Sequence, residues 1–104
     1  MTLFGYHASH EQYPPSELLG HVVAAEQAGF TGTMCADHYL PWIPENGHSG
    51  FAWSWLGAAL HATQRMTFGC VNAPGDRYHP AIIGQAAGTP AEMVPDRYWI
   101  AVGS

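Results

Sequence analysis

The sequence predicts an α/β chain built on a parallel sheet, and two observations carry that expectation. Short apolar runs alternate with longer stretches of helical spacing, in the order β-α-β-α-β-α-β. Proline and glycine punctuate these runs, as at Pro14-Pro15, Gly29, Pro74-Gly75, Pro80 and Pro95. Alternation of this kind implies parallel strands joined by right-handed crossovers.

The first strand is expected at residues 3–6, followed by a polar loop from His7 to Tyr13. Pro14-Pro15-Ser16-Glu17 opens a helix, with proline suited to the first turn and an acid to the positive end of the dipole. Leu18, Leu19, Val22, Val23 and Ala25 share helical spacing, and Gly29 is a natural stop. The second strand covers 31–36. A loop rich in proline, glycine and aromatics then runs to Gly50. Ser49 is placed to cap a second helix from Phe51 to Thr63, with Trp55, Leu56, Ala59 and Leu60 inward. The third strand covers 67–71. Pro80 opens a third helix that buries Ile82, Ile83, Ala86 and Ala87. Gly88-Thr89-Pro90 should interrupt it, because a mid-helix proline costs about 3 kcal/mol. The fourth strand covers 98–102.

Composition bounds the function. At 104 residues the chain is expected to form one domain, 1–104, and is too short for a complete eight-fold barrel of roughly 250 residues. It has three arginines, no lysine and a formal charge of −5, which excludes nucleic acid as a partner because phosphate binding rests on basic side chains. No apolar run approaches the roughly 20 residues that span a membrane, and the N-terminus has no signal-peptide pattern, so a cytoplasmic protein is expected. Cys35 and Cys70 lack CxxC spacing and read as buried, reduced thiols.

The chemistry concentrates where the second strand ends, at Met34-Cys35-Ala36-Asp37-His38-Tyr39-Leu40-Pro41-Trp42. A carboxylate and an imidazole at the carboxyl end of a buried strand are costly to place there for stability alone, and that end of a parallel sheet is where ligands bind. Histidine titrates near neutrality and can accept a proton, and a neighbouring carboxylate can orient it. The same pair could simply satisfy loop amides. His7 and His10 follow the first strand and with His38 invite a metal, but no spacing here matches a known site such as HExxH, so none is expected. His21 and His61 should face solvent from helices. Trp53 and Trp55 lie on different faces of one helix, at least one of them in the core.

Four segments together give a specific resemblance: Gly5-Tyr6-His7-Ala8-Ser9-His10-Glu11-Gln12, Ala36-Asp37-His38-Tyr39-Leu40-Pro41-Trp42, Ser49-Gly50-Phe51-Ala52-Trp53-Ser54-Trp55 and Ala73-Pro74-Gly75-Asp76-Arg77-Tyr78-His79-Pro80. Together they resemble the luciferase-like oxidoreductase superfamily, nearest the branch of F420-dependent sugar-phosphate dehydrogenases and related FMN enzymes. The resemblance implies a TIM barrel, of which this chain supplies the first four strands and three helices, with a flavin or deazaflavin across the carboxyl ends of the strands. It implies His38 as the base that takes a substrate hydroxyl proton as hydride leaves, with Trp42 beside it. Asp37 and the segment Cys70-Val71-Asn72-Ala73 would bind the cofactor, FMN first and coenzyme F420 as the alternative.

The resemblance also implies a cis non-prolyl bond at Cys70-Val71 or Val71-Asn72, against the plainer reading of an ordinary strand exit. Arg77 would either bind the cofactor or tie its loop to Asp76 or Glu92. The family's acidic residue after the fourth strand falls beyond Ser104, so a non-catalytic, self-associating half-barrel is the alternative to a small-molecule oxidoreductase. In either case the unpaired sheet edges favour a homodimer, its interface built from side chains such as Leu3, Met34, Phe68 and Ile100.

Overall fold

The computed structural model describes residues 2–73 and 77–103. The elements are β1 (Gly5–His7), α1 (Pro15–Gln27), β2 (Gly32–Ala36), a 3-10 turn (Pro44–Asn46), α2 (Ala52–Ala62), β3 (Thr67–Asn72), α3 (Pro80–Met93) and β4 (Tyr98–Val102). The four strands form one sheet in sequence order, and every neighbouring pair is parallel. The expected α/β architecture is therefore present, and among the described residues no helix is long and apolar enough to cross a membrane.

Strand alternation divides the sheet into two faces. Thr33, Cys35, Phe68 and Cys70 point to the helix side and are buried. Leu18 and Val22 of α1, with Trp55, Leu56, Ala59 and Leu60 of α2, close over them. Each large side chain fully buried there stabilises the fold by about 1.5–3 kcal/mol. Cys35 and Cys70 stand side by side in the register of β2 and β3, both free and both buried. The adjacent Cys70 thiol and burial push the Cys35 thiol well above its ordinary value, so it stays protonated.

The other face carries His7, Met34, Gly69 and Trp99 in one row across the four strands. Gly69 is required there: an added Cβ would fall 2.0 Å from the Trp99 indole, which lies across it. Met34 is 37% exposed and Trp99 42%. Of the side chains expected at an interface, Phe68 must be withdrawn. It has no exposed surface, because its register with Tyr98 puts it on the helix side.

Several boundaries moved for identifiable reasons. Pairing with β2 begins only at Gly5, which leaves Leu3 and Phe4 outside the strand and exposed. Ser49 does not cap α2, whose N-cap is Phe51; its hydroxyl instead donates to the His38 carbonyl at 2.7 Å. Helix α3 runs unbroken through Pro90 to Met93. It can do so because it is largely exposed, and the Thr89 hydroxyl donates to the Gln85 carbonyl at 3.1 Å near the missing bond. For the same reason only Ile83 of the expected α3 core is buried, and Ile82 is exposed. Peptide bonds among the described residues are all trans, so the cis bond expected near Val71 is absent: β3 keeps regular parallel register to Asn72, and the Val71 carbonyl accepts from the Asp37 amide at 3.0 Å.

The amino-terminal end of the sheet is stapled by two charged side chains. Glu26, from α1, accepts the amides of Gln64, Arg65 and Met66, the last two at 2.8 Å. Arg97 donates to the Met66 and Leu60 carbonyls and to the Thr63 hydroxyl, closing the carboxyl end of α2. Burial pushes the Glu26 carboxyl up, but the three amides and the Arg65 charge outweigh it and hold it below its ordinary value. A carboxyl lowered by folding stabilises the protein above its unfolded pKa, and that contribution is lost as pH falls through the folded value. Glu26→Ala is expected to lower stability by about 1–2 kcal/mol at neutral pH, with a deficit that shrinks in acid. Urea titrations at pH 7 and pH 3.5 check it; an equal deficit at both would show that the carboxylate contributes nothing.

Candidate active site

All four strands end on the same side, so the residues that follow them share one rim. His7 closes β1, Ala36 closes β2 with Asp37 and His38 after it, Asn72 closes β3 and Val102 closes β4. Two clefts open there. One, of about 250 Å³, lies among His7, Ser9, His10, Glu11, His38 and Trp42. The other, of about 340 Å³, lies among Ala36–Tyr39, Val71–Ala73, Arg77, Tyr78 and Gly103. Ala36 and His38 line both, so the imidazole stands at the seam between two binding spaces.

Residue alternation sets the roles. Asp37 turns to the helix side, where its side chain is only 2% exposed. Its Oδ1 accepts from Arg77 Nη1 at 2.9 Å and its Oδ2 from Trp53 Nε1 at 3.2 Å. Arg77 therefore ties to Asp37 rather than to Glu92, while Asp76 lies outside the described residues. Three aromatic rings surround the guanidinium, with centroids at 4.8 Å (Tyr78), 5.7 Å (Tyr39) and 5.9 Å (Phe51). Its neighbour His38 lies on the open side and meets Trp42 edge-on at 6.2 Å between ring centres. Trp42 is 80% exposed and forms a wall of the first cleft.

The expected cofactor segment divides. Val71, Asn72 and Ala73 line the second cleft. Cys70 does not, because alternation turns its side chain into the helix-side core. Among the described residues, the Asn72 Oδ1 acceptor and the Tyr78 hydroxyl are buried without hydrogen-bond partners. Burial and the nearby Asp37 carboxylate push the Tyr78 phenol up to about 12, although the two groups fall short of hydrogen-bond geometry. A cleft edged by Ala36, Val71, Ala73 and Gly103, with an orphaned donor and an orphaned acceptor beside it, fits a flat heterocycle that carries both carbonyl and N–H groups.

One neighbour of this site, Glu11, was not singled out from the sequence. Glu11 lines the first cleft; its Oε2 accepts from Asn46 Nδ2 at 3.4 Å while Oε1 has no partner among the described residues. His10, which follows the first strand as expected, is 4% exposed and packed edge-on against Trp55 at 4.7 Å, with neither ring nitrogen bonded. Trp55 of α2 and the approach of Gly50 cover the ring, and nothing local in the sequence signals that. Trp55 itself is core and donates to the Pro15 carbonyl at 3.1 Å, whereas Trp53 serves the site. His21 packs on Tyr13 at 4.6 Å and is half-buried, while His61 is exposed. Among the described residues, no three His, Cys, Asp or Glu side chains converge as a metal site.

Comparison with known proteins fits this geometry. The model of the family described as "luciferase-like monooxygenase" matches residues 1–104. The chain belongs to that family. It is 44% identical over its whole length to an F420-dependent glucose-6-phosphate dehydrogenase of Intrasporangium calvum, and covers 31% of that protein. A namesake from Nakamurella multipartita is 45% identical over 97% of the chain, which covers 30% of it. Among solved structures, an F420-dependent secondary alcohol dehydrogenase holding an F420–acetone adduct superimposes with a TM-score of 0.94 at 42% identity, covering 98% of this chain and 31% of that one. The F420-dependent tetrahydromethanopterin reductase of Methanopyrus kandleri gives 0.74 at 25% identity, over 97% of this chain and 26% of its own. The chain thus spans about a third of the length of these relatives.

His10 supplies a test of the site's packing. Burial first, and His7 second, lower its pKa to about 4, against a partial opposing pull from Asp37. A histidine lowered by folding takes up its proton more readily when unfolded, so stability falls as pH drops from about 6.5 towards 4. The loss is expected to reach roughly 2–3 kcal/mol. His10→Leu should flatten stability over that window, as read by urea titration; an unchanged pH slope would place the titration elsewhere.

Proposed function

We propose that this chain forms the strand-end part of an F420-dependent oxidoreductase site that exchanges hydride with an alcohol carbon, with His38 as the base. The observation that carries the reading is the position of His38 at the wall shared by the two clefts. A group there touches both a cofactor in one cleft and a substrate in the other. The relatives' names favour coenzyme F420 over the FMN expected first, since each of the four is F420-dependent.

Val71, Asn72 and Ala73 would hold the cofactor ring along the second cleft, with the Tyr78 hydroxyl and Asn72 Oδ1 offering it a donor and an acceptor. When bound, the deazaflavin supplies the hydride acceptor. His38 takes the hydroxyl proton of an alcohol seated in the first cleft, and its backbone is fixed by the Ser49 hydroxyl on its carbonyl. Trp42 shields the reacting carbon from water. Glu11 offers an acceptor to a second substrate hydroxyl from the same cleft.

The test is F420 reduction followed by loss of its visible absorbance, with a secondary alcohol and glucose 6-phosphate as substrates. His38→Ala should cut turnover by about 10²–10⁴-fold, the scale of a general base, with little change in cofactor affinity. A variant as fast as the parent would remove His38 from the chemistry.

A second reading, a self-associating and non-catalytic half-barrel, is favoured by the bare sheet face, where Met34 and Trp99 stand exposed beside the open β1 and β4 edges. Two copies closing face to face would cover it with two-fold symmetry. Sedimentation at micromolar concentration should then show a dimer that Trp99→Asp dissociates. A monomeric parent would end this reading.

A further inference from the structure

The Asp37 carboxylate is the most deeply shut-away charge of the rim, and both of its oxygens already have protein donors. We propose that Asp37 acts as the anchor of a buried clamp and that Arg77 is its positioning residue. The guanidinium pairs with the carboxylate out of water, and the clamp fixes the Asp37–His38 peptide from the helix side, so that the His38 ring stands free in both clefts. The proposal rests on the reading of His38 as a site residue.

Three elements converge on the clamp. Arg77 reaches in from the segment after β3, Trp53 donates from α2, and the Ser49 hydroxyl holds the His38 carbonyl from the loop before α2. The guanidinium is itself held, resting among Tyr39, Phe51 and Tyr78 with its side chain 29% exposed. That arrangement suits arginine and not lysine, because the flat guanidinium stacks on rings while pointing an N–H at a carboxylate. The other titratable groups that feel Asp37 are His10 from the β1 loop, Cys35 from β2 and Tyr78 beside Arg77; none carries a positive charge at neutral pH, so Arg77 alone among them compensates the carboxylate. Removing one partner of a buried ion pair leaves a charge that must be expelled or neutralised. Without Arg77 the carboxylate takes up a proton.

The Trp53 indole N–H, hydrogen-bonded to Asp37 Oδ2, reports that event without any need for turnover. Its ¹⁵N–¹H resonance, assigned by loss of the peak in Trp53→Phe, is followed from pH 8 to pH 5 in the full chain. In Arg77→Met an inflection absent from the parent is expected, and Asp37→Asn in the same background should remove it. Should Arg77→Met fail to fold, Arg77→Gln keeps an N–H donor while deleting the charge and should give the same inflection. A titration that superimposes on the parent's, or an inflection that survives Asp37→Asn, would overturn the clamp. In F420 turnover the clamp predicts that Arg77→Gln lowers kcat more than it raises the substrate KM. If the parent reduces no F420 while the Arg77 variants still show the Asp37-dependent inflection, the clamp stands and the proposed activity falls.

Discussion

A single carboxylate taken out of water at the end of β2 organises the whole carboxyl-terminal rim. Strand alternation turns Asp37 under the helices and leaves His38 on the opposite side, so the acid cannot be solvated and must be compensated by protein groups. Arg77 and Trp53 do so, and in doing so they draw the segment after β3 and the start of α2 against β2. The position of His38 between two clefts follows from that convergence. So does the aromatic enclosure, since Tyr39, Phe51 and Tyr78 gather around the guanidinium that Asp37 holds.

The two ends of the sheet divide the work. At the amino-terminal end Glu26 and Arg97 satisfy backbone groups that helix and strand termini leave without partners. Those contacts hold elements together and touch neither cleft. At the carboxyl-terminal end polar atoms are left unsatisfied instead: Asn72 Oδ1, the Tyr78 hydroxyl, Glu11 Oε1 and both His10 nitrogens. Buried polar groups normally find partners, and among the described residues five of the seven orphaned side-chain atoms lie at this rim, the Thr33 and Tyr98 hydroxyls being the other two. The charged staples thus sit at one end, and most of the unmet hydrogen-bonding capacity among the described residues sits at the other.

What the sequence disclosed followed from local rules. Period-two and helical spacing, with Pro15 and Gly29 as punctuation, gave four parallel strands and three helices close to their observed bounds, and the Asp37-His38-Trp42 segment located the rim. Tertiary effects were not legible. Ser49 reads locally as a helix cap yet bonds the His38 carbonyl, because the loop folds back over the end of β2. Pro90 reads as a break, yet α3 continues because so much of it stays exposed to water. Cys70 was grouped with the cofactor segment, although one residue of strand phase suffices to send it into the core. The partnership of Arg77 with Asp37 spans 40 positions and has no local signature.

Equilibrium dialysis of the purified chain against coenzyme F420, with FMN as competitor, tests the assignment of the second cleft most directly. Saturable binding of one F420 per chain is expected, not displaced by equimolar FMN and lost in Ala73→Trp, which fills the cleft beside Val71 and Asn72. Binding of FMN in preference to F420, or F420 binding untouched by Ala73→Trp, would contradict it.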